Sequence, residues 1–143
     1  MKRGFLFLMA LILMACAAKN QRSNENRPVQ EETGFTEIQF QEEFHNFGLL
    51  QSGEIVVFTF EFTNAGKEPL TVEKLETDCG CIKAAVHPTE IPPGEKGWVE
   101  VEFDSSGLFG KQIKSIVVHA NTKKPKQLAI FAEVQNKQIE YKY

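Results

Sequence analysis

This sequence predicts an all-β domain, a two-sheet antiparallel sandwich of about seven short strands, and three observations carry the prediction. Glu54 to Thr63 alternates Val56, Phe58, Phe60 and Phe62 with Ile55, Val57, Thr59 and Glu61. That period of two puts one face of a strand into a core. Further apolar alternations recur along the chain with clusters of Gly, Pro and Asn between them, which is the spacing of a sandwich. No helical period of adequate length interrupts them.

Residues 1–15 precede the fold. Lys2 and Arg3 lead an apolar run from Gly4 to Met14 that closes on small residues, the layout of a secretory signal too short to remain as a membrane span. Leu13-Met14-Ala15-Cys16 resembles the lipobox at which bacterial lipoproteins are cut before the Cys. The resemblance implies that Cys16 carries a thioether-linked diacylglycerol, with palmitate-like chains, and a further acyl group on its amine. Two or three chains hold a protein on a membrane where one does not. A soluble secreted protein cut near Ala15 or Ala18 is the alternative.

Residues 16–34 are polar, with Val29 the only sizeable apolar side chain. Such a segment buries too little surface to offset the entropy of ordering it and reads as a flexible tether. The domain then occupies 35–143. Cleavage removes two of the 16 basic residues and none of the 19 acidic ones, so the mature chain is more acidic than the whole. Phosphate backbones offer it nothing, which argues against nucleic acid as a partner. It also lacks a polybasic segment for anionic lipid, so membrane attachment is expected to rest on the acyl groups alone.

Within the domain a first strand is expected around Glu37–Phe40. Gln51-Ser52-Gly53 and Asn64-Ala65-Gly66-Lys67 flank the phenylalanine strand as turns, with Asn and Gly suited to positive φ. Leu70–Thr77 changes phase between Val72 and Leu75, the mark of a bulge before the cysteines. Ile82–Val86 is extended. His87 to Gly94 reads as a loop whose prolines exclude a central strand, and Pro93-Gly94 suits the centre of a type II turn. Trp98–Asp104 turns Val99, Val101 and Phe103 inward, and Ile113–Ala120 does so with Ile116 and Val118. After a basic turn over Asn121–Lys126, Leu128, Ile130, Ala132 and Val134 form the last strand, which the tail Gln135–Tyr143 extends.

Phe44-His45-Asn46-Phe47-Gly48, Phe60-Glu61-Phe62-Thr63-Asn64-Ala65-Gly66, Pro69-Leu70, Cys79-Gly80-Cys81, Pro92-Pro93-Gly94 and Val101-Glu102-Phe103-Asp104 occur in this order, completed by Gly110 and Asn121. Together they resemble the bacterial domain of unknown function 1573 over nearly all of residues 40–134. That resemblance implies an immunoglobulin-like sandwich, similar to the major-sperm-protein and pilus-chaperone N-terminal domains, in a lipoprotein of the cell envelope. It implies no catalytic activity and no cofactor. Asn46, Ala65 and Ile82 depart from the family's commoner Asp, Thr and Thr.

Cys79 and Cys81 are the chemically distinctive pair, and four readings stay open. They are small inert core thiols; or a disulfide with each other, permitted in an oxidising envelope; or ligands of a soft metal with His87 as third ligand; or partners of another protein's cysteines. A bridge between i and i+2 requires Gly80 to bend an extended chain whose Cα separation is near the upper limit, and a strained bridge of this kind would be easily reduced. Against a metal stand the missing fourth ligand and the absence of CxxC spacing. His45 and His119 read as surface or hydrogen-bonded residues, and Glu100 and Glu102 as a solvated strand face. No nucleophile elbow, phosphate loop or HExxH is present. Ile55, Val57 and Thr59 face away from the phenylalanines, either packed under a sheet rim or marking a docking patch, and sandwiches of this kind accept partner strands at open edges.

The expected function is a lipid-anchored cell-envelope protein with a non-catalytic immunoglobulin-like binding or structural module, not an enzyme. It would sit on the cell membrane or outer membrane through its acyl groups, with the domain in the periplasm or at the cell surface and an envelope protein as partner. The alternative is a thiol-redox or soft-metal-handling protein using Cys79 and Cys81.

Overall fold

The computed structural model describes residues 34–136, and every regular element among them is a strand. The signal over 1–15, the acylation of Cys16 and all of the tether but Gly34 fall outside these residues, as does the tail beyond Asn136. Nine strands form: β1 Ile38–Phe40, β2 Phe44–Gln51, β3 Ile55–Asn64, β4 Leu70–Thr77, β5 Ile82–His87, β6 Glu90–Ile91, β7 Lys96–Asp104, β8 Gly110–Ala120 and β9 Lys126–Gln135. Sheet 1 has the order β1-β3-β7-β5 and sheet 2 the order β2-β9-β8-β4-β6. This is the expected immunoglobulin-like two-sheet sandwich.

Two of the nine strands are absent from the sequence-based expectation, for identifiable reasons. β2 pairs parallel with β9 after the chain switches sheets, and its register slips between Asn46 and Leu49, so no unbroken alternation marks it. β6 is two residues long between prolines, yet Ile91 is fully buried and opposite Leu70. The bulge expected before the cysteines lies earlier in β4, between Val72 and Lys74. It brings both Val72 and Leu75 to the core side.

The core is built from the alternations read in the sequence. Phe60 and Phe62 of β3, Val99, Val101 and Phe103 of β7, Ile116 and Val118 of β8, and Leu128, Ile130, Ala132 and Val134 of β9 are all buried. Burying a side chain of this size contributes about 1.5–3 kcal/mol. Burial along β3 falls off toward its start, where Val56 and Phe58 are half-buried.

Two buried polar side chains close the two ends. At one end, Asn64 accepts hydrogen bonds from the Thr36 hydroxyl (2.8 Å) and the Gly66 N–H (3.1 Å), and donates to the carbonyls of Glu68 (2.8 Å) and Ile91 (2.9 Å). At the other, the Ser105 hydroxyl accepts from the Gly53 N–H and reaches the carbonyls of Gln51 and Glu54. Among the described residues no buried side-chain polar atom lacks a partner, as a well-formed core requires.

Turn chemistry follows expectation at one place and departs from it at another. Gly94 has φ +79° and the Glu95 N–H donates to the Pro92 carbonyl at 3.1 Å, which is a type II turn. Gly66 has no positive φ; a Cβ there would lie 2.1 Å from Thr36 Oγ1 and 2.6 Å from the Glu37 nitrogen. Its role is close approach between the β3–β4 turn and the incoming chain.

Asn64→Ala is expected to destabilise the domain by about 3 kcal/mol, because it strips partners from a buried hydroxyl and two carbonyls. Gly66→Ala should cost about 1–3 kcal/mol through overpacking. Urea denaturation monitored by Trp98 fluorescence measures both, and a change under about 0.5 kcal/mol for Asn64→Ala would remove its structural role.

Candidate functional site

Cys79-Gly80-Cys81 occupies the crossing from β4 in sheet 2 to β5 in sheet 1. The crossing is pinned on both sides. Asp78 accepts the Ser115 N–H (2.8 Å) and its hydroxyl (3.2 Å), the Thr77 hydroxyl donates to the Cys79 carbonyl, and the Asp104 N–H donates to the Cys81 carbonyl at 2.9 Å. Asp78 therefore anchors the turn to β8.

The two cysteines are joined as a disulfide, with a Cα separation of 5.2 Å. The chain bends at Gly80 to allow this, although Gly80 has neither positive φ nor any atom within 4 Å of a built Cβ. Both cysteines are half-buried against the edge of the core.

The metal alternative of Cys79, Cys81 and His87 is corrected by the strand itself. His87 ends β5, and five residue steps from Ile82 separate it from the pair by about 17 Å. Its ring lies instead beside Trp98, centroids 6.1 Å apart. Among the described residues no group of three or more His, Cys, Asp or Glu side chains could hold a metal ion.

The remaining polar candidates are placed as structural or surface groups. His45 stacks on Phe58 at 3.5 Å and meets Phe47 edge-on, filling the half-buried start of β3. His119 lies 3.0 Å from Glu76, which also pairs with Lys74. The hydrogen bond from Lys74, followed by that from His119, holds the Glu76 carboxyl below the usual range. Glu100 is exposed, and Glu102 pairs with Lys83 at 2.7 Å, an arrangement that raises the Lys83 ammonium above its ordinary value. Asp104 is lowered by hydrogen bonds from the Ser106 hydroxyl and N–H.

The outer edges of β5 and β2 are unpaired among the described residues, and so is the first half of β3, which also carries exposed β-branched side chains. The Gln41 N–H donates to the Glu61 carbonyl and the Ala65 N–H to the Glu37 carbonyl. Odd-numbered residues of β3 thus aim their backbone groups toward β1, since alternate residues of an antiparallel ladder share a side. β1 reaches only Phe62 to Asn64. Ile55, Val57 and Thr59 therefore meet no strand on that side among the described residues, and Ile55 and Val57 are 58% and 52% exposed. Of the two readings of these residues, packing under a rim is excluded.

A second apolar surface escaped the sequence because it depends on pairing. Ile113 stands opposite Phe131, Asn46 lies on the other side of Phe131, and Phe44 is beside Ala129. Phe44, Leu49 and Ile113 are 53%, 57% and 69% exposed on this outer face of sheet 2.

The profile of the family described as "Protein of unknown function (DUF1573)" matches residues 38–134. The chain belongs to this family. Among solved structures, the DUF1573 chain is similar to a protein of unknown function from Porphyromonas gingivalis W83, with TM-score 0.63 and 21% identity over 76% of this chain and 51% of that one. It thus spans about half of that protein. The PapD-like domain 7 of human CEP192 matches at TM-score 0.58 and 11% identity, over 73% of this chain and 89% of that domain. The VesB protease of Vibrio cholerae matches at TM-score 0.51 and 15% identity, over 68% of this chain and 31% of the protease. At these identities the likeness shows the fold alone, a PapD-like sandwich. No curated protein matches the chain.

A three-residue loop makes the disulfide a weak staple, worth about 1.6 kcal/mol in the chain-entropy account against about 3 for a 15-residue loop. Cys79→Ser/Cys81→Ser is accordingly expected to stay folded and lose about 1–2 kcal/mol in urea denaturation. Gly80→Ala should fall within about 0.5 kcal/mol of wild type. Unfolding of the double variant at 25 °C would show that the bridge is essential to the fold.

Proposed function

We propose that this DUF1573 protein is a lipid-anchored cell-envelope protein whose sandwich is a non-catalytic module that binds a protein partner. The reading is carried by the unpaired first half of β3, where free backbone groups coincide with outward-facing β-branched side chains. Soluble proteins ordinarily blunt such an edge with charge, a bulge or a covering segment, and an extended partner segment satisfies it by adding a strand. The PapD-like fold supports a binding role, and the polar groups described above are engaged in turns and surface pairs rather than converging on a cleft. Cys16 as the acylated residue, and a domain in the periplasm or at the cell surface, follow from the lipobox and the envelope setting.

A photo-crosslinking residue at position 57, in intact cells, is expected to give one discrete adduct that Ile55→Lys reduces about tenfold without lowering stability. The same residue at Lys74, in sheet 2, should give none. Adducts from position 113 but not 57 would move the partner to the outer face of sheet 2, and absence of both would remove the binding role. Cys16→Ala is expected to shift the protein out of the membrane fraction; retention there would overturn the anchor.

The half-exposed disulfide supports a second reading, a thiol-exchange role in which a partner thiolate attacks one sulfur, the Cys79–Cys81 bond breaks, the other sulfur leaves as a thiolate, and a mixed disulfide is formed. In the reverse direction of the same exchange, the Cys81 thiolate left by Cys79→Ser attacks the disulfide of an oxidised partner, displaces one of its sulfurs as a thiolate and holds the partner as a mixed disulfide. A mixed disulfide recovered from cells under acid quench favours this reading, and a free Cys81 thiol counts against it.

A further inference from the structure

We infer that the corner formed by Phe35 and the Lys123–Lys126 turn is a docking surface for anionic lipid headgroups, which sets how the module stands on its membrane. The sequence shows only a basic turn here, and the chain as a whole is acidic. The fold brings that turn against the point where the chain enters the sandwich. The Thr36 N–H donates to the Asn121 carbonyl at 2.9 Å, Asn121 Nδ2 donates to the Gly34 carbonyl at 3.3 Å, and Thr36 bridges to Thr122. Between the two segments lies a cleft of about 390 Å³ walled by Phe35, Ile38, Thr122, Lys123, Lys124 and Lys126, with Glu37 also on its lining.

The chemistry of this cleft suits a phosphate on an apolar stem. Phe35 is 45% exposed although aromatic, and lysine stems extend an apolar wall while their ammonium groups stay in water. Lys126 is engaged by Glu43 at 3.3 Å. Lys123 and Lys124 are exposed, and among the described residues neither forms an ion pair. Three of the domain's lysines fall within four consecutive residues here. The otherwise acidic body is repelled by an anionic bilayer, so this corner is the part that can approach it.

The location selects lipid over other anions. This inference rests on the anchored reading, in which the tether from Cys16 joins the domain at Gly34, the residue before Phe35 of the cleft. Tethering converts a weak contact into an intramolecular one at high effective concentration, so modest affinity suffices. Seated this way, the module carries the free start of β3, at the opposite end of that strand from Asn64 and Thr36, away from the bilayer.

The test uses a non-acylated chain beginning at Ala17, which keeps every core side chain among the described residues, Ile38 to Val134, and whose fold is checked first by circular dichroism. Flotation is measured with vesicles of phosphatidylcholine alone and with about one-third phosphatidylglycerol. Binding is expected only to the anionic vesicles, and is expected to fall as salt rises from about 0.05 to 0.5 M. Lys123→Gln/Lys124→Gln should weaken it on the order of tenfold, and Phe35→Ser should also weaken it. Lys111→Gln/Lys114→Gln, on β8, should leave it unchanged. Equal binding by wild type and the Lys123/Lys124 variant, equal binding to both vesicle types, or no binding to either overturns the inference. Because the chain carries no acyl group, a failed anchor and a failed headgroup contact are read separately.

Discussion

A single buried carboxamide holds together the end of the sandwich at which the chain enters. Asn64 uses both its oxygen and its nitrogen, joining the incoming Thr36, the turn at Gly66 and Glu68, and the short strand at Ile91. In a low-dielectric interior each of these groups would be costly if left alone. Their mutual satisfaction fixes where the incoming chain lies, and therefore where Phe35 meets the lysine turn. Gly66 belongs to the same device, because only a residue without Cβ lets the turn come this close to Thr36.

Several family-diagnostic residues prove to be parts of this framework rather than of a reaction centre. Asn64 and Gly66 form the closure, and Pro92-Pro93-Gly94 makes the turn whose Gly94 N–H donates back to the Asn64 carbonyl. Asn121 accepts the Thr71 N–H and donates to the Pro69 carbonyl, tying β4 to the end of β8. Cys79 and Cys81 mark the other recurrent feature, a crossing between sheets. There Asp78 and the hydrogen bonds to the Cys79 and Cys81 carbonyls already define the path of the chain, so the disulfide adds a short local link to a turn held by other means.

The two ends of the molecule differ in what they leave open. At the entry end the edge of β3 is covered by β1 and closed by Asn64. At the far end β1 is gone, because the chain has crossed to sheet 2 through Gln41–Glu43, and β3 is left with unpaired backbone. The sheet switch that makes β2 pair with β9 is thus the same event that exposes Ile55 and Val57. An open edge of β3 at one end and a cationic, apolar corner at the other give the sandwich a polarity, the one that the proposed module between a membrane and a partner requires.

Most of the fold was legible because burial imposes a period of two, and the strands carrying the core show that period without interruption. The phenylalanine alternation of β3, the valines of β7 and the last strand needed no tertiary information. β2 and β6 were illegible since a register slip and flanking prolines erase the pattern, and only their partners, β9 and Leu70, make them strands. Of the candidate site, the cysteine pair and the outward Ile55 and Val57 could be named from the sequence. Whether those outward residues were covered depended on how far β1 extends. Whether Lys123–Lys126 was merely a solvated turn depended on which segment packs beside it. Strand alternation is a local consequence of the pleat, so the sequence alone determined it; an open edge or a shared corner is a relation between distant segments, and only the tertiary structure decides that.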